Sequence, residues 1–217
     1  KVVYEYQDFA ERLAKRGHQV TVIDFDETSD GKNKEIFFSK TGLAEIRLIS
    51  TPFYNKPVLK FITARINFKK LLEPRLKAKE FDVVFLYSVF INGTNTVRLC
   101  KKYDVPVIYR LLDIYHKLRG DLKIMIPLYF GEKFIYKNAD YVCLTNEVMS
   151  KYVEKMAGKR MDKQLRVLHH GVDTDFFQPV KKNSLLLDKF NFSIDDKIIV
   201  FVGTIYTFSG LDVLLKA

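Results

Sequence analysis

Several residues with chemical use follow directly on apolar runs in this chain. Val107–Leu111 (VIYRL) is followed two residues on by Asp113, with His116 close behind. A buried strand ending near a carboxylate puts that group where open α/β sheets bind ligands, outside the carboxyl ends of the strands. There it could hold a substrate hydroxyl or cap the following segment. Phe81–Tyr87 (FDVVFLY) ends on Tyr87-Ser88, with Asn92-Gly93 a few residues later, and could line a pocket at the same edge. Tyr141–Leu144 (YVCL) ends on Thr145-Asn146-Glu147, one of which should cap the next helix. Further on, Ile198–Val202 is an apolar, β-branched run stopped by Gly203. Ser209-Gly210 then opens a segment in which Leu211, Leu214 and Leu215 recur at helical spacing, with Ser209 as N-cap and Asp212 three residues on. Strand, glycine turn and helix start form half of a nucleotide-binding unit. A helix N-terminus favours phosphate there, and Gly203 lets the backbone approach it closely.

The elements that must position these groups alternate. Helical periodicity over Tyr4–Arg16 places Tyr6, Phe9, Ala10, Leu13 and Ala14 on one face, and Gly17 ends it. Strands are expected at Val20–Phe25, Ile46–Ile49, Phe81–Tyr87, Val107–Leu111, Tyr141–Leu144 and Leu165–Leu168. Helices are expected at Thr94–Lys102, Pro127–Lys137, Glu147–Met156 and Lys181–Phe190. The basic, apolar stretch Lys56–Lys79 reads as a helix with Leu59, Ile62, Ile66 and Leu71 on one face, kinked or ended near Glu73 by Pro74. Strands separated by helices predict an α/β fold, a Rossmann-like parallel sheet with helices on both faces. The chain opens on a helix, so the first strand of that sheet is expected to be missing. Gly171–Pro179 (GVDTDFFQP) reads as a hinge, giving a domain over 1–179 and the start of a second, incomplete α/β domain over 180–217.

Composition narrows the function classes. An apolar fraction of 47% in 217 residues supports a packed core rather than disorder. No run approaches a membrane span, and no signal peptide opens the sequence. Cys100 and Cys143 stand alone in apolar settings, as buried free thiols do. The adjacent His169 and His170 cannot aim at one ion, so no metal is expected. A nicotinamide-dependent oxidoreductase would need G-x-G-x-x-G after a strand, and the ten glycines contain no such triple. The net charge of +10 suits an anionic partner or a solvated lysine surface. A basic nucleic-acid-binding or other non-catalytic Rossmann-like module is the alternative reading, although no nucleic-acid motif supports it.

ERLAKRGHQVTVID, FDVVFLYS, VPVIYRLLD, NADYVCLTNEV, VLHHGVDTDFFQP and FVGTIYTFSGLDVLLKA occur in an order and at a spacing that resemble family-4 glycosyltransferases. The resemblance implies two facing Rossmann-like domains with the active site between them, and retaining sugar transfer from a nucleotide sugar to a glycan or lipid-linked acceptor. It implies no cofactor, no metal and no nucleic acid. It further implies an acceptor-binding domain lacking its first strand and glycine turn, followed by the start of a donor domain without its E-x7-E segment. Such a chain is expected to be a fragment, inactive alone, of a hexosyl-type enzyme in the cytoplasm.

Carried over residue by residue, the resemblance makes Asp113 the catalytic candidate. It assigns Tyr87, Ser88, Asn92, Gly93 and His116 to the acceptor, and Gly203, Thr204, Ser209, Gly210, Glu147, His170 and Gly171 to the donor. This sequence departs from the family at three places. Thr204 and Ser209 stand where Arg and Lys commonly touch the diphosphate, and Leu112 stands where a histidine usually precedes the acidic position; His116 is the nearby substitute. Lysines and arginines between residues 56 and 79, interleaved with Phe61, Ile62, Phe68 and Leu71, suit an anionic membrane surface and a peripheral membrane enzyme.

Overall fold

In the computed structural model the described residues are 5–26, 31–54, 56, 59–89, 91–118, 120–203, 205 and 209–217. The expectations resting on Tyr4 and Thr204 lie outside them. The chain divides into two compact units, Lys1–Gly171 and Val172–Ala217, the division falling inside the 171–179 segment.

In the first unit, α1 (Glu5–Lys15) leads to β1 (Thr21–Asp26), β2 (Lys34–Phe38) and β3 (Ile46–Pro52). Then follow α2 (Leu59–Lys77), β4 (Val84–Leu86), α3 (Gly93–Lys102) and β5 (Val107–Leu111). A 3-10 turn at Tyr115–Leu118 joins β5 to α4 (Leu122–Asn138), and β6 (Tyr141–Leu144), α5 (Val148–Ala157) and β7 (Leu165–Val167) complete the unit. β4-β5-β6-β7 form a parallel sheet in that order. β1 pairs parallel with β3, and β2 adds to β3 antiparallel, giving a second, three-stranded sheet. β2 had no place in the sequence expectation. Its KEIFF run is mostly exposed at an edge and lacks the alternation that marks a half-buried strand.

Strand alternation sorts the side chains onto two faces. Leu86, Val107, Tyr109, Leu111, Val142 and Leu144 are buried in the main core beneath the helix layer. Residues of opposite parity, Phe85 and Tyr87, meet Phe9 and Tyr6 of α1 edge-on, with ring centroids 5.2 and 6.1 Å apart. Helices α2, α3, α4 and α5 touch one another in sequence as a single layer. A monotonic order of parallel strands with right-handed crossovers requires that arrangement. Cys100 lies buried beneath this layer, where desolvation pushes its thiol up to about 12; Cys143 is half-buried and also free.

Two helices differ from expectation for readable reasons. α2 runs through Pro74 to Lys77 instead of ending near Glu73. Proline removes one N–H, but Leu71, Leu72 and Leu76 are buried and hold the last turn, and the Pro74 carbonyl accepts from Ala78 N. The buried face of α2 is Ala64, Phe68, Leu71, Leu72 and Leu76, so Leu59, Ile62 and Ile66 lie on the exposed side, not on the core face. α4 starts five residues before Pro127, at Leu122, because Asp121 serves as N-cap and accepts from Lys123 N at 2.9 Å.

The second unit holds α6 (Ser184–Phe190) and α7 (Leu211–Leu214). The expected strand at Ile198–Val202 is not formed: these residues have no ladder partner among the described residues, and Val202 is 90% exposed. An apolar run becomes a strand only where a neighbour satisfies its backbone groups.

Candidate functional site

The carboxyl ends of β4, β5 and β6 lie side by side, and the polar residues after them make up the site of the first unit. After β4, Tyr87 and Ser88 are half-buried. Burial holds the Tyr87 hydroxyl far above its ordinary range, with the Glu5 carboxylate adding to the effect and Arg110 opposing it. Asn92 is the N-cap residue of α3, but its side chain makes no capping bond, and its buried Oδ1 has no partner among the described residues. Gly93 has a steric reason to be glycine: a Cβ there would sit 2.2 Å from the Ser88 carbonyl oxygen. Its role is close approach of backbone to backbone.

Arg110 is the buried cation of the site. Strand alternation turns it toward the α1 side, and it is 1% exposed. Its Nε donates to Glu5 Oε1 at 2.8 Å, and Nη1 donates to the carbonyls of Leu144 (3.0 Å) and Leu168 (2.6 Å). One guanidinium therefore ties together the carboxyl ends of β5, β6 and β7 and the first turn of α1. A buried cation persists only where such partners replace its water. Nη2 has no partner among the described residues. The second oxygen of Glu5 lies 2.5 Å from Nδ1 of His170, which is otherwise largely exposed. His170 is thereby held beside the Arg110–Glu5 pair.

Asp113 is exposed, and no capping bond from it to the following turn is formed among the described residues. Its carboxylate is free to meet a ligand. His116, three residues on in the 3-10 turn, is buried. Its Nδ1 lies 2.5 Å from Glu132 Oε2, its backbone N–H donates to Oε1 of the same carboxylate at 3.2 Å, and its Nε2 lies 3.1 Å from the Tyr152 hydroxyl. Burial pushes the Glu132 carboxyl above the usual range, against the hydrogen bonds from His116, which pull it down. Burial likewise pushes the Tyr152 phenol up to about 12. Glu132 escaped the sequence reading although a signal existed. It falls at i+4 from Leu128 and three and four residues before Ile135 and Tyr136, on the buried stripe of α4. A carboxylate on an apolar stripe must have a buried partner.

At the end of β6, Asn146 is the capping residue, its Oδ1 accepting from Met149 N at 3.3 Å. Glu147 makes no capping bond and stays exposed. Gly171 is exposed with open space where a Cβ would stand. In the second unit, Gly203 has φ +156°, and Gly210 is the N-cap of α7 at φ +69°, so Ser209 is not the cap residue. Glycine fits the Gly210 position because L side chains rarely adopt that backbone conformation. Among the described residues no group of three or more His, Cys, Asp or Glu side chains could hold a metal ion. The first unit can offer hydroxyl-binding groups: the exposed carboxylates of Asp113 and Glu147, one oriented imidazole and two phenols.

Comparison with known proteins bears on this arrangement. No curated protein matches the chain. Among solved structures, Anabaena HepE in complex with UDP and glucose is similar, at 12% identity and a TM-score of 0.45, over 79% of this chain and 50% of that one. The chain thus spans about half the length of that protein. A family model described as Glycosyltransferase Family 4 matches residues 6–176. That match takes in α1 through β7 with every first-unit group described above except Glu5, and on it the chain belongs to Glycosyltransferase Family 4.

Proposed function

We propose that this chain is the acceptor-binding part of a retaining glycosyltransferase that moves a hexosyl unit from a nucleotide sugar to a glycan or lipid-linked hydroxyl. The observation that carries the reading is the exposed Asp113 carboxylate beside buried His116 at the carboxyl end of β5, within a family-4 domain. In this reading Asp113 accepts from a hydroxyl and orients it. Tyr87, Ser88 and His116 shape the pocket around it, and Glu147, His170 and Gly171 face the donor. Gly203, Ser209 and Gly210 of the second unit meet the diphosphate through backbone N–H groups. Oriented donors of this kind stabilise a departing anion by several kcal/mol, typically about 3. Neither a cofactor nor a metal has a part in the reading.

Transfer of labelled sugar from UDP- and GDP-sugars to octyl glycosides and polyprenyl-linked acceptors, by the protein that carries this chain, tests the proposal. Asp113→Asn is expected to lower the rate about 100-fold, with nucleotide-sugar binding intact. Failure to turn over any nucleotide sugar would overturn it.

A peripheral position on the cytoplasmic face of an anionic membrane belongs to the same proposal. No helix among the described residues is long and apolar enough to cross a membrane. The outer side of α2 exposes Leu59, Phe61, Ile62 and Ile66 beside Arg65, Lys69 and Lys70. An apolar strip flanked by cations fits an anionic bilayer surface. Two residues assigned to that surface from the sequence, Phe68 and Leu71, are instead buried in the core. Co-sedimentation with phosphatidylglycerol vesicles at low salt should pull the chain down, and its absence would remove the membrane from the proposal.

A further inference from the structure

The cluster around His116 contains more than a buried ion pair requires. The His116 ring meets one Glu132 oxygen and its backbone N–H the other, with the Tyr115 backbone N–H a further donor to the same carboxylate. The imidazole is further clamped by Tyr129 edge-on at 5.3 Å and by Tyr152 stacked at 24°. With the carboxylate accepting, the Nδ1 proton is fixed and the Nε2 lone pair faces outward. That lone pair meets the Tyr152 hydroxyl at 3.1 Å. The phenol is protonated and donates inward, leaving the lone pairs of its own oxygen for an outside donor. Tyr152 is half-buried, and the Lys117 ammonium lies 4.4 Å from its ring centroid. The trio stands on the turn after β5 and on helices α4 and α5, beside Asp113 and at the ligand-binding edge of the sheet.

We propose that Glu132, His116 and Tyr152 form a hydrogen-bond relay of fixed polarity whose outer end, the Tyr152 phenolic oxygen, accepts from a hydroxyl of the sugar acceptor. The proposal rests on the glycosyl-transfer reading above and names the polarity of its acceptor pocket. Glu132 is a positioning residue, setting the tautomer of His116. His116 sets the direction of the Tyr152 hydroxyl. The relay selects a hydrogen-bond donor from the ligand and repels a carbonyl or carboxylate oxygen, since no proton is left to offer it.

Nitrogen-15 histidine NMR on this chain reads the polarity directly. The expected spectrum has His116 protonated at Nδ1 and bare at Nε2 at neutral pH. Glu132→Gln should abolish that preference, while Tyr152→Phe should shift Nε2 and leave Nδ1 in place. Octyl glycosides of glucose, galactose and mannose serve as probes. At least one should move the Nε2 resonance, with about tenfold weaker binding in Tyr152→Phe, the worth of one hydrogen bond. A protonated Nε2, an unchanged tautomer in Glu132→Gln, no response to any glycoside, or equal binding by Tyr152→Phe would each overturn the relay. If Glu132→Gln does not fold, the half-exposed Tyr152→Phe decides alone. Loss of the relay with nucleotide-sugar turnover intact breaks this inference only; absence of that turnover breaks the functional reading beneath it.

Discussion

Glu11 on α1 and Glu132 on α4 are both withdrawn from solvent, yet their surroundings push them in opposite directions. Desolvation raises both. At Glu11 it is outweighed by hydrogen bonds from the Ser39 and Thr41 hydroxyls and the Thr41 and Lys40 backbone N–H groups, which bring the carboxyl down to about 2. Lys40 N donates at 2.5 Å and Thr41 N at 3.0 Å, so the carboxylate serves as the floor of the loop before β3. At Glu132 the partners belong to His116 and its turn, and burial prevails. A carboxylate ringed by donors is a structural anchor. One whose partners centre on a single titratable ring has a polarity that a ligand can use.

Experiments that test this contrast fall in order of expected size. Glu5→Ala should be the most damaging, costing about 3–5 kcal/mol in urea unfolding, because it strips the buried Arg110 of its counter-charge. A loss below about 1 kcal/mol would show that the Leu144 and Leu168 carbonyls suffice. Glu11→Ala should cost about 3 kcal/mol by leaving two backbone N–H groups and two hydroxyls without their acceptor. Acid titration separates the two carboxylates. Glu11, depressed from 4.5 to about 2, contributes stability that is complete above pH 4.5 and disappears as pH falls toward 2. Glu132, raised above 4.5, acts with the opposite sign: its contribution is complete below that value and declines as pH rises through its folded value. Melting temperatures across the acid range should therefore flatten at the low end in Glu11→Gln and fall less steeply toward acid in wild type than in Glu132→Gln. Identical profiles for the two variants would erase the distinction. Glu132→Gln at neutral pH should cost only about 1 kcal/mol. Asp113→Asn, being exposed, should alter stability by less than about 0.5 kcal/mol while lowering the transfer rate about 100-fold.

Much of the first unit is legible in its sequence. Val107–Leu111 and Tyr141–Leu144 form strands with the bounds read from the sequence, because a short apolar run between turn residues leaves little latitude. Asp113 and His116 stand out as candidates by their place after a strand. Partnerships across distance were not legible: Arg110 and Glu5 are 105 residues apart, and no local pattern announces that pair. The face of α2 was misread because Leu59, Ile62 and Ile66 are as apolar as the buried Ala64, Phe68 and Leu72; only the sheet decides which stripe it covers. Ile198–Val202 teaches the converse, since it has the composition of β5 without β5's neighbours.

The division of the strands into sheets of three and four has a colloidal consequence. One seven-stranded sheet would present two ladder edges; among the described residues β1, β2, β4 and β7 present four. β2 in particular carries Ile36 and Phe37 at 51% and 65% exposure along its edge. Open edges recruit extended segments from other molecules. The net charge of +10 opposes such association, through a repulsion reaching only about 8 Å at physiological ionic strength. Raising the ionic strength weakens that repulsion, so self-association through the edges is expected to grow with salt.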